Sequence, residues 1–90
     1  MVIATEISVY PNPFDHYVTL EVTCEENHDC IILLADLIQA KIIRMMGVGL
    51  NGGTNKIRLD DLDPLKPGSY QLDIRTATGD LLYQTLLIKQ

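Results

Sequence analysis

The stretch from Asp29 to Met46, DCIILLADLIQAKIIRMM, decides the fold, because it is where a helix and a pair of strands compete. It holds neither Gly nor Pro, and Ile31, Leu34, Ala35, Ile38, Ile42 and Met45 recur at the three- and four-residue spacing of an amphipathic helix. Against the helix stand the β-branched pairs Ile31-Ile32 and Ile42-Ile43, which suit a pleated surface, and the polar interruption at Asp36 and Gln39, which suits a turn. Periodicity leaves both readings standing, so the flanking sequence has to carry the argument.

On the N-terminal side, Tyr17 to Cys24 alternates Val18, Leu20, Val22 and Cys24 with Thr19, Glu21 and Thr23, the pattern of a half-buried strand. On the C-terminal side, Lys56 to Leu59 and Ser69 to Thr76 repeat it, the latter with Tyr70, Leu72 and Ile74 against Gln71, Asp73 and Arg75. Asn51-Gly52-Gly53 and Thr78-Gly79-Asp80 supply residues that tolerate positive φ between these runs. The loop from Asp60 to Gly68 concentrates capping and breaking residues, with Leu62 and Leu65 expected to plug it from below. Strand patterns thus recur about every 8–12 residues, the spacing of a small all-β sandwich. Tyr10-Pro11-Asn12-Pro13-Phe14 must be an extended connector. Each proline lacks an N–H and pushes its predecessor into extended backbone, while Phe14 can anchor the segment on the core.

A chain of 90 residues is the size of one domain, and 47% hydrophobic with 21% charged residues is an ordinary globular composition. The net charge of −5 argues against a nucleic-acid backbone or an anionic membrane surface as partner. The aliphatic run Ile31 to Ala35 is far below the roughly 20 residues of a membrane helix. The opening Met-Val-Ile-Ala-Thr-Glu has no basic stretch followed by a long apolar core, hence no signal peptide. The chain is therefore expected to be cytoplasmic, or to be one part of a longer protein whose signal lies upstream.

Candidate chemistry is sparse. Cys24, His28 and Cys30 lack the four-ligand spacing of a structural zinc site, and one short acidic loop offers no pocket in which a thiol and His28 would converge for catalysis. The two cysteines do close a hairpin end, and a disulfide between them requires only that their Cα atoms lie within about 7 Å. Ser69 lacks a Gly-x-Ser-x-Gly turn, and Asp60, Asp61 and Asp63 lack the Gly and distal Glu of a calcium loop. No catalytic residue, metal or cofactor is expected. An immunoglobulin-like binding or adhesion module of a surface enzyme, a carbohydrate-binding one included, is the competing function. Its stacking platform would rest on Tyr10, Tyr17 and Tyr83 in a chain without Trp.

The segments Tyr-Pro-Asn-Pro-Phe at 10–14, Asp-Leu at 36–37, Leu-Asn-Gly-Gly-Thr at 50–54, Pro-Gly-Ser-Tyr at 67–70, Gly79 and the terminal Leu-Leu-Ile-Lys-Gln follow in an order that resembles a known family. That family is the type A C-terminal sorting domain of the type IX (Por) secretion system of Bacteroidetes, and the likeness runs from about Val9 to Gln90. Pro11, Asn12, Pro13, Asp36, Gly53, Thr54, Gly68 and Tyr70 match its motif positions; Gln39 stands where the family usually has Gly, which implies a wider or less strained central turn. The resemblance implies an immunoglobulin-like antiparallel β-sandwich of about seven strands spanning residues 1–90, carried at the C-terminal end of a secreted cargo. It places strands on both sides of Asp36, and a lone helix there would also leave the sandwich short of an apolar inner face.

By the same resemblance, the domain is a non-catalytic address tag. Its cargo passes the periplasm, is directed through an outer-membrane translocon, and reaches the cell surface or the medium after a sortase-like peptidase acts. An extracytoplasmic route would permit a Cys24–Cys30 disulfide. Leu86, Leu87, Ile88, Lys89 and Gln90 are the segment that the machinery would read. From Leu81 to Gln90 neither face is polar, which fits either a strand buried on both sides or shielded by a loop, or a face or edge offered to a partner.

Overall fold

Alternation becomes burial in the computed structural model, which describes residues 4–90; Met1 to Ile3, where the signal-peptide reading begins, lie outside the described residues. Seven strands follow in order: β1 Ala4–Tyr10, β2 Val18–Cys24, β3 His28–Asp36, β4 Lys41–Leu50, β5 Gly53–Leu59, β6 Gly68–Thr76 and β7 Leu81–Lys89. All pair antiparallel, in a three-stranded sheet β1-β2-β5 and a four-stranded sheet β4-β3-β6-β7. The all-β sandwich expected from the turn spacing is what forms. Relative to the constant-type immunoglobulin order, in which the fourth strand lies beside the fifth, β4 here pairs with β3 in the other sheet.

The contested stretch is the β3–β4 hairpin, with Leu33 opposite Met45 and Asp36 opposite Lys41. β3 lies between β4 and β6. It buries Cys30, Ile32 and Leu34 in the core while Ile31, Leu33 and Ala35 face outward. A strand apolar on both faces, joined to an apolar edge strand, scatters apolar residues at helical as well as strand spacings, and this produced the helix-like pattern. The turn between them is closed by Asp36, whose Oδ1 accepts from the N–H groups of Ile38 at 2.8 Å and Gln39 at 3.2 Å. The left-handed residue is Ala40 at φ 52°, so the position that asks for glycine lies one residue beyond Gln39.

The two sheets enclose one core, in which Val18, Leu20, Val22, Ile32, Leu34, Leu72 and Ile74 interdigitate. The 60–68 corner is plugged by Leu62, fully buried, with Leu65 only partly so. Tyr70, near the start of β6, sends its hydroxyl back to the carbonyl of Lys66 at 2.7 Å. This is the tyrosine corner of immunoglobulin-like sandwiches, and it pins the crossing from β5 to β6.

Candidate functional site

β7 is an edge strand of the four-stranded sheet and not a central one, its outward Leu86 and Ile88 exclude burial on both sides, and at its C-terminal end a loop does shield it. Leu87 and Lys89 point into the sandwich, at 0% and 7% exposure, while Leu86 and Ile88 face outward at 51% and 37%. Nearer the start of the strand, an irregularity in the β6–β7 register at Ile74/Arg75 breaks the strict alternation, and both Leu82 and Tyr83 pack against the core. The result is a strand with one apolar face in the core and a second apolar face, at its C-terminal end, in solvent.

The edge of β7 is closed by the connector between β1 and β2. Pro11 and Pro13 have no N–H to offer a ladder, and Asn12 between them replaces backbone with side chain. Its Nδ2 donates to the carbonyl of Leu86 and its Oδ1 accepts from the N–H of Ile88, both at 2.9 Å. Phe14 continues the stitch with backbone: its N–H donates to the Ile88 carbonyl at 2.8 Å, and its carbonyl accepts from Gln90 N–H at 2.9 Å. The Phe14 ring is fully buried and meets Tyr70 edge-on at 6.1 Å between centroids. The buried Lys89 turns its ammonium to the Gln90 carbonyl at 3.0 Å. Among the described residues, this stitching is confined to Leu86–Gln90.

The residues singled out in the sequence gather unevenly. Asn12, between Pro11 and Pro13, bonds to the terminal strand directly, and Gly68 and Tyr70 are the ladder partners of Lys89 and Leu87. Asp36 is the partner of Tyr70 on the next strand, so six motif positions and the terminal segment share one end of the sandwich. Gly53 and Thr54 do not join them, since they pair with Cys24 and Thr23 at the opposite end. There Gly53 has φ 104°, and the Thr23 and Thr54 hydroxyls lie 3.1 Å apart. Asn55, which sequence reasoning passed over, organises that turn. Its Oδ1 accepts from Asn51 N–H at 2.9 Å, and its Nδ2 reaches the carbonyls of Asn51 at 2.9 Å and Val22 at 3.1 Å. The one available signal was an amide residue two places after Gly-Gly.

The remaining candidates have structural roles. Cys24 and Cys30 are free thiols buried in the core, not a disulfide in this structure. In the loop from Asp60 to Gly68, Asp60 pairs with Arg58, Arg44 donates to the carbonyls of Asp60 at 2.9 Å and Asp61 at 3.4 Å, and His16 Nδ1 lies 2.6 Å from Asp63 Oδ2. The Asp63 carboxyl is held below its ordinary value, first by a backbone hydrogen bond and then by His16. Among the described residues no three His, Cys, Asp or Glu side chains converge as a metal site. Of the three tyrosines available for a sugar platform, Tyr17 lies under the Arg58 guanidinium at 3.8 Å and Tyr83 packs on the core, leaving Tyr10 exposed.

The model of the secretion system C-terminal sorting domain family matches residues 8–89. No curated protein matches the chain in sequence. Among solved structures, a selenomethionine-labelled β-glucosidase from Kluyveromyces marxianus shares the fold with a TM-score of 0.59 at 14% identity, over 97% of this chain and 14% of that one. The likeness is one of architecture, a sandwich of this kind recurring as a small part of a much longer protein.

Proposed function

The chain belongs to the secretion system C-terminal sorting domain family, and from that membership we propose that it is a non-catalytic module read by the outer-membrane translocon of the type IX system. Membership makes it a C-terminal sorting signal for export to the cell surface or medium. In the finer reading, its cargo crosses the periplasm after entry through an upstream signal peptide, and a sortase-like peptidase acts after translocation. The terminal strand, Leu86 to Gln90, is the surface recognised. The observation that carries this reading is the outward apolar pair Leu86 and Ile88 on an edge strand whose edge is closed only by a short connector. An apolar groove can meet such a strand along its outward face.

The test is a fusion of the domain to the C-terminus of a periplasm-directed reporter in a type IX host. The wild-type fusion is expected at the surface or in the medium. The double variant Leu86→Ser/Ile88→Ser is expected to stay in the periplasm with its fold retained, because both side chains face solvent. A substitution is the sharper tool here: deleting Ile88 to Gln90 would also remove three of the four bonds that close the edge, so folding would suffer with recognition. Undiminished export of the double variant would take recognition away from this strand. A wild-type fusion that stays in the periplasm would overturn the sorting reading.

A further inference from the structure

The crossing from β2 to β3 is an arch of three residues, Glu25-Glu26-Asn27, that carries the chain from one sheet to the other. Cys24 is the last residue of β2 and Cys30 the third of β3. By strand alternation, Cys24 lies on the inward face with Leu20 and Val22, and Cys30 on the inward face with Ile32 and Leu34. Each is 3% exposed, and both belong to the same core cluster, so two thiols on facing sheets flank one arch. Burial pushes both above the ordinary thiol value, and a charge on Cys24 raises Cys30 further, as does Asp29; the two sulfurs sit within electrostatic reach of each other.

We propose that Cys24 and Cys30 are a redox site, oxidised to an inter-sheet disulfide that locks the arch end of the sandwich. The step needs an oxidant of the disulfide class, RS–SR, such as a thiol–disulfide oxidoreductase in its disulfide form or a small-molecule disulfide. One cysteine thiolate attacks RS–SR, forming a mixed disulfide and releasing RS⁻. The second thiolate then attacks the cysteine sulfur of that mixed disulfide and releases a second RS⁻. Two protein thiols are oxidised, one RS–SR is reduced to two RSH, and the two thiol protons end on the released RS⁻ groups. Thiols kept protonated inside a core attack slowly, so the bridge forms chiefly while the arch is still open during folding. The proposal rests on the sorting reading only for where the oxidant is met, since disulfides persist in extracytoplasmic compartments.

The experiment refolds the unfolded, reduced chain in oxidised and reduced glutathione and compares the products. Oxidative refolding is expected to yield a monomer lighter by two hydrogens, with no thiol reactive after denaturation and with a peptide linking Cys24 to Cys30. Its melting temperature is expected about 5 °C or more above that of the reduced form. Cys24→Ala and Cys30→Ala should each instead form no intramolecular bridge and show no such rise. Should either variant fail to fold, the wild-type chain with and without reductant reads the same difference. Two free thiols after oxidative refolding, persistent glutathione adducts on the wild type, bridged dimers, or an oxidised form that melts lower would each overturn the proposal. Such a result leaves the reporter export assay untouched, and failed export leaves the bridge untouched, so the two readings fail separately.

Discussion

Replacing Asn12 with Ala removes the side chain that stands in for backbone between two prolines. Two hydrogen bonds go with it, from Nδ2 to the Leu86 carbonyl and from Ile88 N–H to Oδ1, each 2.9 Å long. A typical intramolecular hydrogen bond contributes about 0.5–1.5 kcal/mol net. Both bonds lie at the exposed edge, so water can replace part of what is lost, and the expected cost is about 1–2 kcal/mol rather than the full sum. For a domain of this size that lowers the melting temperature by about 4–16 °C. Urea denaturation measures the free energy, with an unchanged slope showing that the folded state keeps its extent. Amide exchange locates the effect. Ile88 N–H should lose protection well beyond the global loss of stability, whereas the core amides of β3 should change only by the global amount. A cost below about 0.3 kcal/mol, or loss of protection spread evenly over the sheet, would refute the view that Asn12 is a local clasp on the terminal strand.

Tyr70→Phe deletes the 2.7 Å bond to the Lys66 carbonyl while keeping the ring, and should cost about 1 kcal/mol in urea denaturation. Ala40→Gly should stabilise the domain by about 0.5 kcal/mol, because φ 52° strains an alanine and suits a glycine; a loss of stability would show that the turn is not strained there. Asp63 titrates below its ordinary value of 3.8, so the folded state binds its proton less readily than the unfolded chain. Its contribution is therefore complete above the ordinary value and is lost as pH falls through the lower folded value. Asp63→Asn should flatten the acid limb of a stability-against-pH curve in that window, and an unchanged limb would count against a depressed Asp63 carboxyl.

Much of the architecture was legible in local pattern. The Tyr17–Cys24 alternation places Val18, Leu20 and Val22 in the core, and Tyr70, Leu72 and Ile74 follow the same rule on β6. Period-two burial depends only on the pleat, which a strand carries wherever it docks. Asp36 was legible as a turn residue for a similarly local reason, because its carboxylate closes the turn on amides two and three residues ahead. The family resemblance put the glycine position at Gln39, yet the positive φ falls on Ala40, because the turn is set by where the two strands of the hairpin come into register.

What the sequence by itself determined was the strands over Tyr17–Cys24, Lys56–Leu59 and Ser69–Thr76, the corners beside them and the exclusion of Tyr10–Phe14 from a paired ladder, since these follow from pleat, proline and glycine chemistry within a few residues. β1 went unread, Asp29–Met46 stayed open between a helix and two strands, and the connector bends at Asn12 and Pro13 where an extended run was expected. Only the tertiary structure decided that β4 joins the sheet of β3, that β7 lies at an edge, and that Asn12 reaches across 76 residues of chain to Ile88. Those choices depend on which apolar faces can be covered at once and which edges then remain to be closed. No window of local sequence contains that information, because each strand's pattern specifies an inward face without specifying its neighbour.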